Sequence, residues 1–212
     1  MTALLLGASG LTGGLCLQEL MEDPTFDKVI TPLRKEMVLA HPKLEQVIIN
    51  FDKIVDNQDK FRADVVFCCL GTTIRKAGSK EIFKKIDYEY PLLFAQLALK
   101  QGATTFVLVS AMGAATNSLF FYSRVKGELE SELKKLGYQT LIILQPSLLL
   151  GDRKEQRLGE DVAKIFSPIF NFFTPKKYKA IHAEQVAKAM VKLAKQGLNG
   201  LIVKESDEIK EV

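Results

Sequence analysis

Two groups of residues in this chain have types and spacings suited to chemistry. The first is a turn of glycines in Leu4-Leu5-Leu6-Gly7-Ala8-Ser9-Gly10-Leu11-Thr12-Gly13-Gly14. Glycines at the first, fourth and seventh positions of such a motif permit a tight exit from a strand, a close backbone approach to a pyrophosphate and close packing of the next helix on the sheet. The helix start supplies unpaired N–H groups and the positive end of a dipole, and Ser9 and Thr12 add hydroxyl donors. No Gly-Lys-Ser/Thr follows, which excludes a P-loop. The second group is Tyr122-Ser123-Arg124-Val125-Lys126, a phenol and an ammonium four residues apart on a predicted helix and so on one face. A free phenol titrates near pH ~10, and a lysine one turn away stabilises the phenolate, which suits general acid/base work. Ser110, at the end of a predicted strand, is placed to orient a substrate carbonyl beside that tyrosine.

Three further stretches belong with the glycine turn. Dinucleotide sites that select NAD carry an acid about 20 residues past the glycines, at the end of the second strand, for the ribose 2′-hydroxyl. Here the chain reads Thr31-Pro32-Leu33-Arg34-Lys35, so two cations stand where the acid is expected. A 2′-phosphate would account for them through a charge-assisted contact at Arg34, and NADP(H) is expected over NAD(H). A solvated basic turn beside Glu36 is the plainer alternative. Asp52 is expected to accept from the adenine amino group, and Gly71-Thr72-Thr73 to let the backbone pass close to a cofactor ribose.

These residues need a frame. Short apolar runs alternate with amphipathic ones: strands over Thr2–Leu6, Lys28–Leu33, Gln46–Ile49, Asp64–Leu70, Thr104–Ser110 and Gln139–Leu144, with helices over Leu11–Met21, Ser79–Lys100 and Leu119–Leu136. Continuous apolar strands separated by helices predict an α/β fold with a doubly wound parallel sheet, a Rossmann fold, over a single domain spanning 1–212. A last helix over Ala183–Gln196 and a short strand over Gly200–Val203 close the pattern, and the charged tail Glu205–Val212 is expected to fray. The segment 151–182 is expected to form the substrate side. Its Phe166, Phe170 and Phe173 recur at helical spacing, as a core face, a pocket wall or an interface would. Arg153, Lys154 and Arg157 suit an anionic substrate or a plain charged loop, and His182 is more simply packed than catalytic.

Composition narrows the function. A net charge of +4, with lysines interleaved among acids, argues against nucleic acid as a partner. Three cysteines, two of them adjacent in an apolar run, make no disulfide framework, and no Cys/His cluster has metal-ligand spacing, so no metal is expected. No apolar run approaches the roughly 18 residues of a transmembrane segment, and no basic, secretory-type start is present. A soluble, cytoplasmic protein is expected.

The ordered set Gly7 to Gly13, Tyr122-x-x-x-Lys126 and Gln145-Pro146-Ser147 resembles the short-chain dehydrogenase/reductase superfamily, in its extended or atypical branch. More narrowly, Phe67-Cys68-Cys69-Leu70-Gly71-Thr72-Thr73 with Lys76-Ala77-Gly78, Val125-Lys126-Gly127-Glu128 and Leu149-Leu150-Gly151-Asp152-Arg153 resemble the Tat-interacting-protein-like NAD(P)H-binding oxidoreductases. That resemblance implies that Gly7, Ala8, Ser9, Gly10, Leu11 and Thr12 meet the pyrophosphate and that Arg34 and Lys35 meet the 2′-phosphate. It implies that Leu70, Gly71 and Thr72 border the cofactor, that Tyr122 and Lys126 form the catalytic or ribose-binding pair, and that Pro146 lines the nicotinamide pocket. Two positions depart from the pattern. Ser110-Ala111-Met112 stands where relatives often carry two hydroxyls, and Asp87 where many carry asparagine. The expected activity is hydride transfer to or from a small carbonyl or hydroxyl substrate. The alternative is an NADPH-binding regulatory or assembly protein without turnover, with a protein partner or a second copy of the chain.

Overall fold

Strand β1 (Thr2–Leu6) is apolar on both sides because both of its faces are covered. Ala3 and Leu5 pack on one side with Cys16, Leu17 and Leu20 of helix α1 (Leu11–Glu22), while Leu4 and Leu6 pack on the other with Phe94 and Leu129. The computed structural model describes residues 1–151, 175 and 178–212. Within them β2 (Lys28–Leu33), β3 (Leu44–Ile48), β4 (Val65–Cys68), β5 (Thr105–Val109), β6 (Thr140–Gln145) and β9 (Gly200–Glu205) join β1 in a seven-stranded sheet. The order is β3-β2-β1-β4-β5-β6-β9, and every pairing is parallel. Chain direction therefore reverses its sense of winding between β1 and β4, and a ligand crevice opens at the carboxyl ends of strands there. Two short strands, β7 (Leu149–Leu150) and β8 (Ile181–His182), pair separately.

Helices α1 and α6 (Ala183–Ala194) cover one face of the sheet; α4 (Tyr90–Lys100) and α5 (Phe121–Lys135) cover the other. The doubly wound expectation holds, with differences in detail. The long helix expected over Ser79–Lys100 is divided into α3 (Lys80–Lys84), a widened turn over Lys85–Glu89 and α4. Pro91 accounts for the break: it has no N–H to offer the Asp87 carbonyl four residues back, and its ring would crowd that carbonyl. The chain widens instead, with the Tyr90 N–H reaching the Lys85 carbonyl, and Asp87 turns inward until it is fully buried. Short helical turns over Phe51–Phe61, and α2 (Ile74–Ala77), fill loops that carried no periodic signal.

The tail was expected to fray from Glu205; instead β9 continues to that residue and α7 (Ser206–Lys210) follows. Ser206 is fully buried. Its Oγ accepts from the Ser147 N–H at 2.7 Å and donates to Ser147 Oγ at 2.9 Å, while Ser147 Oγ donates to the Lys179 carbonyl at 2.6 Å. The charged surface of this segment hid the one serine that anchors it.

Candidate functional site

The glycine turn is built from backbone pressed on backbone. Gly7 adopts φ +84°, and a Cβ there would lie 2.7 Å from the Cys69 carbonyl oxygen. A Cβ on Gly13 would lie 2.0 Å from the Gly7 carbonyl oxygen, so only glycine lets α1 start this close to the end of β1. Gly10 takes the N-cap position of α1 in extended conformation, and no side chain caps the helix. Its first N–H groups stay available to an anion. Ser9 and Gly10 are exposed at the rim, and Ala8 and Thr12 are buried beneath it.

A cleft of ≈ 700 Å³ lies over the ends of β2 and β3, lined by Arg34, Ile49, Asp52, Ile82, Lys85 and Tyr90 among others. Arg34 of this lining is exposed, as is its neighbour Lys35. The structure thus brings Arg34 and Asp52 to one cavity. Asp52 is already engaged there: Oδ1 accepts from the Tyr90 hydroxyl at 2.5 Å and pairs with Lys85 Nζ at 2.7 Å. Lys85 first, then Tyr90, hold the Asp52 carboxyl below the usual range, whereas burial and that same hydrogen bond push the Tyr90 phenol up. An adenine amino group at Asp52 would join this cluster, a constraint that sequence spacing did not reveal. A separate depression of ≈ 450 Å³, lined by Thr2, Lys28, Asp64 and Gly102 among others, lies at the amino ends of the strands, away from this crevice.

The remaining side chains line up on α5. Tyr122, Lys126 and Glu130 stand at successive i, i+4 positions, over about 12 Å of helix. Tyr122 is partly exposed, and its ring packs 5.7 Å from that of Phe83. Lys126 is buried, its Nζ 2.8 Å from Asp87 Oδ1. Asp87 Oδ2 accepts the Thr72 N–H at 2.8 Å. Burial works against the ammonium of Lys126, yet Asp87, with Tyr122 adding, holds it above the usual lysine range.

Ser110 follows another course. Its Oγ donates to Glu130 Oε1 at 2.5 Å, in the interior, and Gln145 Nε2 donates to the same carboxylate at 3.0 Å. Glu130 lies two turns below Tyr122, so the serine is committed to the base of the row and not to its head. Met112, two residues on, donates its N–H to the Pro146 carbonyl at 3.0 Å. Asp87, Glu130 and Gln145 were not singled out as partners by the sequence reading. The signal available was a charged residue at i+8 from Tyr122 on an otherwise covered helix face. Pro146 is buried beside this group, and Leu70 and Gly71 follow β4 at the crevice.

Burial pushes the Cys68 thiol up to about 12, and contact with Cys16 together with burial raises Cys69, so neither is a ready nucleophile. Cys69 Sγ packs 3.8 Å from Met190 Sδ. His182 is exposed and stands at the N-cap of α6. Arg153, Lys154, Arg157, Phe166, Phe170, Phe173 and most of 151–182 lie outside the described residues.

No family model matches the chain. Among curated proteins it is 39% identical to protein HTATIP2 of Rattus norvegicus over 166 residues, covering 76% of this chain and 68% of that one. It is 35% identical to "Protein FMP52, mitochondrial" of Candida albicans over 208 residues, 94% of this chain and 90% of that one. Among solved structures, the UDP-glucose 4-epimerase of Thermotoga maritima superposes with TM-score 0.72 at 17% identity, over 100% of this chain and 81% of that one. The enzyme WbmH of Bordetella bronchiseptica, in complex with NAD+, superposes with TM-score 0.72 at 16% identity, over 99% and 78%. The fold these structures share with the chain is a Rossmann-like α/β fold, a seven-stranded parallel sheet flanked by helices. The FMP52 relatives, named mitochondrial, overturn the expectation of a cytoplasmic location. No helix among the described residues is long and apolar enough to cross a membrane. The chain belongs to the family of the HTATIP2 and FMP52 proteins.

Proposed function

We propose that this family member is an NADP(H)-dependent oxidoreductase acting on a small carbonyl or hydroxyl substrate. The observation that carries the reading is the glycine cradle: an uncapped helix start, held against Gly7 so closely that a methyl group at residue 13 would not fit. The Gly10 N–H is held by the Gly7 carbonyl at 2.9 Å, so the backbone N–H groups of Leu11 and Thr12 would meet the pyrophosphate across the bare Gly10, with Ala8 as floor and Ser9 at the rim. The adenosine end would occupy the cleft between Ile49 and Ile82, with Asp52 near the base and Arg34 and Lys35 on the 2′-phosphate. Leu70, Gly71 and Thr72 would border the nicotinamide ribose, and Pro146 the ring.

When bound, the cofactor supplies or accepts the hydride. The chain's own part is proton management and placement. Tyr122, partly exposed at the head of the α5 row, would exchange the proton with the substrate oxygen, while Lys126 would donate to the ribose hydroxyls and stabilise the phenolate. Ser110, by its bond to Glu130, would set the wall formed by Gln145 and Pro146 and leave substrate orientation to other groups.

The deciding experiment is calorimetric titration of NADPH and NADH into the protein and into Arg34→Ala. NADPH should bind more tightly than NADH, and the substitution should weaken NADPH about 10- to 100-fold, as expected for loss of a charge-assisted contact, leaving NADH nearly unchanged. Equal affinities with no effect of the substitution would remove the NADP preference, and no binding of either would remove the cofactor.

A further inference from the structure

Among the described residues, Lys126 is the buried cation, and Asp87 and Glu130 are the buried carboxylates. A buried ion pair is poor value for stability alone, because an apolar pair of the same volume often does as well or better. The Asp87–Lys126 pair also reaches a third group. One carboxylate oxygen faces the ammonium at 2.8 Å; the other accepts the Thr72 N–H at 2.8 Å. The three come from separate elements: the widened turn at Lys85–Glu89, helix α5, and the loop after β4 at the winding reversal. Gly71 completes the fit, for a Cβ there would lie 3.3 Å from Asp87 Oδ1 and 3.7 Å from Lys126 Nζ. Lys126 carries three N–H donors, more than the one carboxylate oxygen that faces it at 2.8 Å can take up.

We propose that Asp87 is a positioning residue for the dinucleotide, its carboxylate fastening Lys126 to the Thr72 amide so that lysine and loop meet the nicotinamide ribose as one preorganised unit. The inference rests on the cofactor reading above. Asparagine at residue 87 would still accept from Thr72 but would present Lys126 with no charge, so Asp87→Asn separates the electrostatic half of the clamp from the geometric half. The groups facing Lys126 are Asp87 on the widened turn, Tyr122 on its own helix and Cys68 on β4. Without the Asp87 charge, burial acts on the ammonium with little opposition and draws its titration downward.

The test is NADPH affinity by calorimetry from pH 7 to pH 10, for the full chain and for Asp87→Asn, Lys126→Met and the double variant. Asp87→Asn should weaken NADPH about tenfold at neutral pH, roughly one charged hydrogen bond's worth, and should add little in the Lys126→Met background. Its affinity should fall further towards pH 10, where the wild-type curve stays flat. Should Asp87→Asn fail to fold, Asp87→Glu replaces it in the cycle: the charge stays, the ammonium is displaced, and the loss should again vanish without Lys126. Equal affinity in wild type and variant, or losses that simply add, overturns the clamp while leaving the cofactor reading intact. A wild-type protein that binds neither NADPH nor NADH sinks the cofactor reading and the clamp with it.

Discussion

The glycine-cradle half of the crevice and its α5 half are made of different materials. Around Gly7 to Gly13 the fit is backbone against backbone, and the constraint is the absence of side chains. Along α5 the fit is side chain against side chain, and the two buried groups of the row answer to partners elsewhere in the chain: Lys126 to Asp87, Glu130 to Ser110 and Gln145. A backbone site tolerates almost no change of residue but depends on few distant ones. A side-chain site can keep its tyrosine and lysine and still be redirected by what sits behind them.

The sharpest way to break this contrast is Tyr122→Phe. Turnover of any carbonyl substrate that the protein accepts should fall by about 10²- to 10⁴-fold, with NADPH affinity nearly unchanged. Retained turnover would take the chemistry away from the α5 row. Next comes Gly13→Ala, which forces a methyl group onto the Gly7 carbonyl. Thermal and denaturant unfolding should report a loss of about 3 kcal/mol, at the upper end for overpacking, with dinucleotide binding lost in parallel. A stable variant that still binds would mean that the cradle can widen and that its close packing is incidental. Smallest is Ser110→Ala. It removes one donor from the buried Glu130 carboxylate and should cost about 1–2 kcal/mol in stability, while turnover changes less than about threefold. Were turnover instead to fall as far as in Tyr122→Phe, the serine would belong to the reaction and the two halves would be less distinct than the geometry indicates.

The same contrast governs what could be read from the sequence. Glycines at residues 7, 10 and 13 announce a strand-to-helix cradle because their geometry is local, and the alternation of apolar runs announces the parallel sheet for the same reason. The Tyr122/Lys126 pair was legible as a face of one helix. Its partners were not. Asp87 is turned inward by the widened turn that Pro91 imposes, and an expectation of one continuous helix over Ser79–Lys100 left no reason to look for a buried carboxylate there. Ser110 was legible as a hydroxyl at a strand end, but its direction depends on Glu130, 20 residues later. The tail misled in the opposite sense, since its many charges masked Ser206, whose burial ties α7 to the end of β6.

That serine gives the molecule an order of completion during synthesis. Strands β1 to β4 and the glycine cradle are all present once the chain has been made as far as Leu70. The wall at Pro146–Ser147 must instead wait for a residue 59 positions further on before its hydroxyl and amide are satisfied. A ribosome releases the chain from its N-terminal side, and folding proceeds in that direction. The residues of the glycine cradle are therefore all made long before the serine that ties down the Pro146–Ser147 wall.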